Sequence, residues 1–147
     1  MNIRNTSGLS FDFLKNGSIQ HIDVAPIRIS LKSATPFSRS GGNLYLRKKT
    51  NHLESIALLG PASNSLFQIK DNAFIAKGIW EGIEYSCVLK LSSKSHSWQW
   101  SIDTENKTGD VAELDLIHVQ DVGLKPITSG LVNEYYVSQY LERLILD

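Results

Sequence analysis

Six carboxylates in the second half of the sequence could supply the acid and base of a hydrolytic site. A glycoside hydrolase needs two carboxylates, and their distance in space decides the reaction. Positions along strands do not fix that distance, so the sequence selects no pair, and most of the six are expected on solvated strand faces and turns. Asp121, in VQDVG, differs from the other five because it lies between apolar residues and ahead of Gly123. Its simpler interpretation is an Asx-type cap, in which the carboxylate binds the backbone of its own turn. The six are Asp103, Glu105, Asp110, Glu113, Asp115 and Asp121.

The histidines and the single cysteine do not form a metal-binding pattern. The sequence contains no histidine pair spaced two or four residues apart, and its only cysteine is Cys87. Zinc sites need clustered Cys, His or carboxylate ligands, so no metal site is predicted. Neither a nucleophile elbow nor a phosphate-binding glycine loop is present. We therefore predict no catalytic residue and no cofactor, and we interpret Cys87 as a buried structural thiol. The histidines are His21, His52, His96 and His118.

Three tryptophans offer flat aromatic faces that could stack on sugar rings. Trp98 and Trp100 share one strand face with Ile102, because side chains on a strand alternate. Two aromatic side chains on one face lie more often in a core, which is the simpler interpretation for this pair. Trp80 is predicted at a rim. All three are candidates for a sugar platform.

The charge balance excludes a generic polyanion binder. Fifteen Lys and Arg residues offset fifteen Asp and Glu residues, so the formal net charge is zero. No whole-molecule field attracts nucleic acid or a membrane surface, and we expect neither as a partner. The N-terminus lacks the apolar core of a secretion signal, and no segment approaches the roughly 20 apolar residues of a membrane span. We expect a cytoplasmic protein.

Short segments of alternating polarity, separated by turn residues, predict an all-β chain. Asn16-Gly17 is expected to supply the positive φ values of a hairpin turn, and Asp71-Asn72 and Gly82 further turns. About ten strands predict a sandwich of two antiparallel sheets in one domain over residues 1–147. The predicted strands are residues 9–14, 18–24, 27–31, 43–49, 52–60, 66–70, 73–80, 83–92, 96–106 and 111–124.

Three further segments have less regular patterns. Residues 32–42 are expected to form an exposed loop because they are rich in Gly, Pro, Ser and Thr. Residues 111–124 do not hold one strict alternation, which favours a bulge in that strand. Residues 133–139 are predicted to form a helical turn that passes into a final strand.

Two stretches carry a family resemblance, namely VQDVGL at 119–124 and NEYYVSQY at 133–140. They resemble the N-terminal domain of glycoside hydrolase family 94 enzymes, and within that family the 1,2-β-oligoglucan phosphorylases. The opening GLSFDFLKNGSIQHI and the later WQWSIDTENKTGDVAELDLIHVQDVGL are similar as well, so the resemblance spans nearly the whole chain.

The resemblance implies a galactose-mutarotase-like supersandwich that is incomplete in this chain. In these phosphorylases a helical (α/α)6 barrel follows the sandwich and carries the catalytic residues, so no catalytic residue can be assigned here. The apolar residues near Asp147 are then expected to be core or interface positions that pack against other parts of a longer protein. A strand and turn facing the barrel or a second subunit would use Gln120, Asp121, Asn133, Glu134, Ser138, Gln139 and Tyr140.

The leading functional expectation is therefore a non-catalytic N-terminal domain that serves packing or oligomerisation. The parent enzyme would cleave β-1,2-glucosidic bonds with phosphate and inversion, releasing α-glucose 1-phosphate. A β-glucan oligosaccharide and phosphate would be partners only in that complete enzyme, and open strand edges predict a homo-oligomer. The alternative is a stand-alone carbohydrate-binding or assembly module. An intact mutarotase-type enzyme is less favoured, because no His and Glu pair stands out.

Overall fold

The computed structural model describes residues 1–49 and 53–128. Within them all the regular elements assigned are β-strands, which confirms the predicted all-β class. The predicted turn and strand in residues 133–147 lie outside the described residues. The strands are β1 (Asn2–Arg4), β2 (Leu9–Phe13), β3 (Ile19–Val24), β4 (Ile27–Arg28), β5 (Asn43–Lys49), β6 (Leu53–Ala57), β7 (Leu66–Lys70), β8 (Ala73–Trp80), β9 (Ile83–Leu91), β10 (Trp98–Asn106), β11 (Leu114–Val119) and β12 (Lys125–Pro126).

The strands form three antiparallel sheets, where the sequence predicted two. A five-stranded sheet has the order β1-β2-β3-β4-β12, a four-stranded sheet the order β10-β9-β8-β7, and a three-stranded sheet the order β11-β5-β6. Two of the sheets contain a long-range pair, β12 with β4 and β11 with β5. Sequence alternation does not reveal such pairs, because it reports only which face of a strand is buried.

An aromatic cluster joins the five-stranded and four-stranded sheets. The ring of Phe13 from β2 stacks on Phe74 from β8, with centroids 3.9 Å apart and planes at 5°. Phe11 meets Trp98 edge to face at 5.2 Å. The three-stranded sheet adds buried Leu44, Leu46 and Ile56 to the same core. The sheets therefore pack as a sandwich around one core, as the sequence predicted.

The β-turns of the four-stranded sheet follow the predicted chemistry, but the first hairpin differs. Asp71 and Asn72 both have positive φ, as do Glu81 and Gly82, which are two-residue turns that match strand twist. In the β2–β3 hairpin only Gly17 has positive φ. Its N–H donates to the Leu14 carbonyl at 3.0 Å, so a three-residue loop with Gly17 in the left-handed position replaces the expected two-residue turn.

Three predicted strands are shorter than expected, the 52–60 segment being a strand only over β6, and two observed strands were not predicted. The 27–31 segment is a strand only over β4, and the 111–124 segment only over β11. The expected bulge in that segment is wrong, because β11 pairs with β5 in continuous register from Leu114 to Val119. Strands β1 and β12 were missed because they are too short for a period of two to be visible in the sequence.

Gly17 provides a test of the hairpin geometry. An added Cβ would overlap the Phe67 ring, whereas at Gly109, also with positive φ, it would meet nothing within 4 Å. We expect Gly109→Ala to cost about 1–2 kcal/mol of unfolding free energy, from backbone strain alone. Gly17→Ala should cost about 1–3 kcal/mol more, because Phe67 must move. Urea denaturation of both variants measures the difference, and equal losses would contradict this packing.

Candidate interface around Asp121

The Asp121 carboxylate lies in a contact between two distant parts of the chain. Its Oδ2 accepts a hydrogen bond from the Lys32 N–H at 2.7 Å, across 89 residues of sequence. The Asp121 N–H donates to the Gly41 carbonyl at 3.0 Å. A Cβ added at Gly41 would overlap the Asp121 carboxylate, so the glycine permits this approach. The expected local turn cap is therefore wrong, because the carboxylate binds a remote backbone instead of its own turn.

Gly123 brings the same segment against the residues that follow β4. A Cβ on Gly123 would lie 2.8 Å from the Leu31 Cα and 3.0 Å from the Ser30 carbonyl oxygen. The Gly123 N–H donates to the Ile29 carbonyl at 2.6 Å. The two backbones thus touch directly, which a larger residue at position 123 would prevent.

Lys125, at the start of β12, completes this contact and is only 1% exposed. Its Nζ donates to the Leu31 carbonyl at 2.7 Å. A buried ammonium needs hydrogen-bond acceptors because burial removes its hydration. The sequence analysis did not identify Lys125, Lys32 or Gly41. The adjacent glycines at 41 and 42 were a signal of close backbone approach, but nothing in the sequence indicated that Lys125 is buried.

Gln120 precedes Asp121 and contacts it through its side chain. Its Nε2 donates to the Asp121 carbonyl at 3.0 Å. Its Oε1 is buried without a hydrogen-bond partner among the described residues. That Gln120 and Asp121 face a barrel or a second subunit stays a prediction. The other predicted interface residues, Asn133, Glu134, Ser138, Gln139 and Tyr140, lie outside the described residues.

The segment from β11 to β12, which contains Asp121, exposes several large apolar side chains. Leu116 is 52% exposed and Val119 is 46% exposed, both on β11. Val122 and Leu124, between β11 and β12, are also exposed. In the part of the chain that the structure describes, only β5 pairs with β11, which leaves its other edge open. This combination of open edge and exposed apolar side chains is typical of a surface that contacts another element.

Of the five remaining carboxylates, three lie on strands, while Asp110 and Glu113 lie in the segment between β10 and β11. Asp115 on β11 forms ion pairs with Arg47 and Lys49, and the hydrogen bond from Arg47 in particular lowers the pKa of Asp115. Asp103 and Glu105 lie on β10 in the four-stranded sheet. Within residues 1–49 and 53–128, no cluster of three or more His, Cys, Asp or Glu residues could hold a metal ion.

The three tryptophans pack against the core while remaining partly exposed. Trp100 meets Phe74 edge to face at 6.3 Å, and its indole Nε1 is buried without a hydrogen-bond partner among the described residues. Trp98 also lines a surface pocket of about 280 Å³, together with Lys90, Ser97 and Gln99. Of the three, Trp98 thus lies beside a concavity with polar groups, and its use as a sugar platform stays a prediction.

Cys87 is fully buried, as predicted, in the middle of β9. Burial, with a smaller contribution from the charge of Asp103, raises the pKa of its thiol from 9.0 to about 12. The thiolate is the reactive form, so this cysteine is not a nucleophile at neutral pH. Because the pKa of the thiol is higher in the folded chain than in the unfolded chain, its titration makes stability depend on pH. The stabilisation is fully present below pH 9 and is lost as the pH rises toward 12.

None of the described residues forms a helix long and apolar enough to span a membrane.

We expect Asp121→Ala to destabilise the chain by about 1–2 kcal/mol, because the Lys32 N–H loses a charged acceptor. Gly41→Ala should also lower the unfolding free energy, because its Cβ would overlap the Asp121 carboxylate. The same change should cost less in a chain that already carries Asp121→Ala, where that carboxylate is absent. Asp110→Ala is the matched control, since its carboxylate has no hydrogen bond within the described residues. Urea denaturation measures all four variants. An unchanged unfolding free energy for Asp121→Ala would show that this contact contributes nothing.

We expect the Cys87 thiol to react with an aromatic disulfide reagent at pH 8 at least about a thousandfold more slowly in the folded chain than in urea. A rise in the thiol pKa from 9.0 to about 12 lowers the thiolate fraction tenfold per unit. Absorbance of the released thiolate follows the reaction, and the single cysteine makes the signal specific. Similar rates in both states would contradict the burial.

The sequence was compared with protein families and with curated proteins. It matches the SOGP N-terminal domain family over residues 12–147, which is most of the chain. No curated protein matches it. The match includes strands β3 to β12 and the last two residues of β2, and it includes the Asp121 contact. The chain therefore belongs to the SOGP N-terminal domain family.

Proposed function

We propose that this chain is the non-catalytic N-terminal domain of a 1,2-β-oligoglucan phosphorylase-like enzyme, where it serves packing or oligomerisation. The parent enzyme, of glycoside hydrolase family 94, would use phosphate to cleave β-1,2-glucosidic bonds with inversion, releasing α-glucose 1-phosphate. The observation that carries this proposal is the family match over residues 12–147, since that family is described as an N-terminal domain. A supersandwich fold and a cytoplasmic location belong to the same proposal.

The geometry around Asp121 supports a structural use of the motif. A general acid or base must have its carboxyl group available to a substrate. The Asp121 carboxylate instead accepts a hydrogen bond from the Lys32 N–H and lies against Gly41. Its role in this domain is to hold the segment after β11 against the segment after β4.

The surface beside this contact supports a packing role. Leu116, Val119 and Leu124 expose about half of their surface on β11 and the segment that follows it, along an edge that no other described strand pairs with. Burying apolar surface stabilises an interface by about 25 cal/mol per Å². We therefore propose that the contact with the rest of the enzyme is at this edge of the three-stranded sheet.

A carbohydrate-binding module is the second candidate, and the pocket beside Trp98 is the observation that favours it. Lys90, Ser97 and Gln99 could donate hydrogen bonds to sugar hydroxyls there, next to an indole ring. Such a module would bind glucan without turnover.

One pair of measurements tests both candidates. The chain alone is incubated with β-1,2-linked glucose oligosaccharides and phosphate, and released glucose 1-phosphate is measured. We expect none from the chain alone and release from the full-length gene product. Turnover by the chain alone, or a full-length product inactive on these sugars, would contradict the leading proposal. Calorimetric titration of the chain with the same sugars distinguishes the second candidate, which requires binding that Trp98→Ala removes.

A further inference from the structure

The outward face of the four-stranded sheet carries a regular arrangement of charge. Cross-strand pairing places its outward side chains in four rows, each running across the strands from β7 or β8 to β10. The first row is Lys70, Ala73, Lys90 and Gln99, and the second is Gln68, Ile75, Val88 and Ser101. The third is Leu66, Lys77, Ser86 and Asp103, and the fourth is Ile79, Glu84 and Glu105.

The two ends of this face have opposite charge. Lys70 and Lys90 form the basic end, and neither has an ion pair among the described residues. The acidic end has Glu84, Asp103 and Glu105. Lys77 and Lys107 offset these carboxylates in part, and Lys107 forms ion pairs with Glu84 and Glu105. The end rows are about 20 Å apart, because residues two apart on a strand are separated by about 6.8 Å. That distance exceeds the roughly 10 Å screening length at 0.1 M salt, so each end acts separately.

Apolar side chains lie within the same face. Leu66 is 80% exposed and Ile79 is 60% exposed, and both line a groove of about 570 Å³ that also contains the three carboxylates. Ile75 and Val88 fill the second row and are half-buried. Exposed apolar residues between charged groups are typical of a surface that contacts another protein.

We propose that this face binds the same face of a second copy of the chain, related by a two-fold axis that lies in the interface perpendicular to the strands. Such an axis places each strand over the same strand of the second copy. The four rows of the second copy then run in the reverse order. Lys90 of one copy then faces Glu84 of the other, and Gln99 faces Glu105. Ser101 faces Asp103 in the same way, and Ala73 faces Ile79.

The charge pattern selects this axis over the alternative. A two-fold axis along the strands would keep the order of the rows, so Glu84 and Glu105 would face the acidic row of the second copy. Like charges brought together in an interface oppose association. The perpendicular axis pairs opposite charges twice, because an isologous interface repeats each contact. Face-to-face sheets cross at about 30°, which keeps the oppositely charged ends together.

The size of the face sets the expected strength. Four strands about 4.8 Å apart and rows that extend about 20 Å give a face smaller than the roughly 800 Å² per partner of a standard interface. We therefore expect a weak dimer that dissociates as the salt concentration rises. This inference names the surface for the oligomerisation role and rests on that part of the proposed function. Oligomeric state and phosphorolysis are measured separately, so either proposal can fail alone.

Charge reversal at each end, followed by sedimentation velocity, tests the interface. We expect the unmodified chain to shift from monomer to dimer with rising concentration at about 50 mM salt, and to remain more monomeric at about 500 mM. Glu84→Lys with Glu105→Lys, or Lys70→Glu with Lys90→Glu, should weaken dimerisation at least tenfold. All four changes together restore opposite charges at the two ends, so dimerisation should return. An equimolar mixture of the two double variants should form a heterodimer.

The matched control reverses charges on the β2–β3 hairpin of the five-stranded sheet, with Lys15→Glu and Asp12→Lys, and should dimerise like the unmodified chain. Circular dichroism melts establish that each variant is folded. A chain that stays monomeric at every concentration would overturn the proposal. A dimer that neither double variant weakens would also overturn it, and would indicate another surface such as the open edge of β11.

Discussion

The stack of Phe13 on Phe74 is the contact on which the arrangement of the sheets depends. It joins the five-stranded sheet to the four-stranded sheet, and Phe67, Trp100 and Phe11 extend it on either side. Because strand side chains alternate, fixing these rings inward also fixes which residues point outward. The inward position of Phe74 and Leu89 thus determines that Ile75, Val88 and Lys90 face away from the core. Core packing and the pattern on the outer face are two consequences of one register.

The segment from Gln120 to Lys125 shows a different way of holding a chain in place. Strand pairing stops at Val119 and resumes at Lys125 in β12, and the backbone between them is held by contacts of individual groups. Gly123 allows two backbones to touch, Asp121 supplies a charged acceptor, and Lys125 supplies a buried donor. Each contact gives a backbone N–H or carbonyl a hydrogen-bond partner, and for the buried Lys125 ammonium that partner offsets part of the cost of burial. A short motif can therefore encode a contact between distant parts of the chain.

Much of the fold could be predicted because most strands pair with their neighbours in sequence. The alternation in residues 73–80 and 83–92 predicts strands that the structure contains almost unchanged. The candidate site was predictable only in part. Asp121 attracted notice as a carboxylate among apolar residues, but its partners Lys32 and Gly41 lie far away in sequence. The burial of Lys125 depends on the Leu31 carbonyl, 94 residues earlier, and no local pattern encodes such a contact.

The difference between local and distant pairing also has a consequence for the order of folding. Strands β7 to β10 form consecutive hairpins with short turns, so each closes at a small entropic cost. Strand β11 must instead find β5, with Asp115 and Arg47 separated by 68 residues. Contacts of long sequence separation form late and are among the first to open. The joint around Asp121, which spans 89 residues, would then be assembled after the sheets on either side of it. During synthesis, strands β7 to β10 are all made before the segment that carries Asp121, so their hairpins can pair without it.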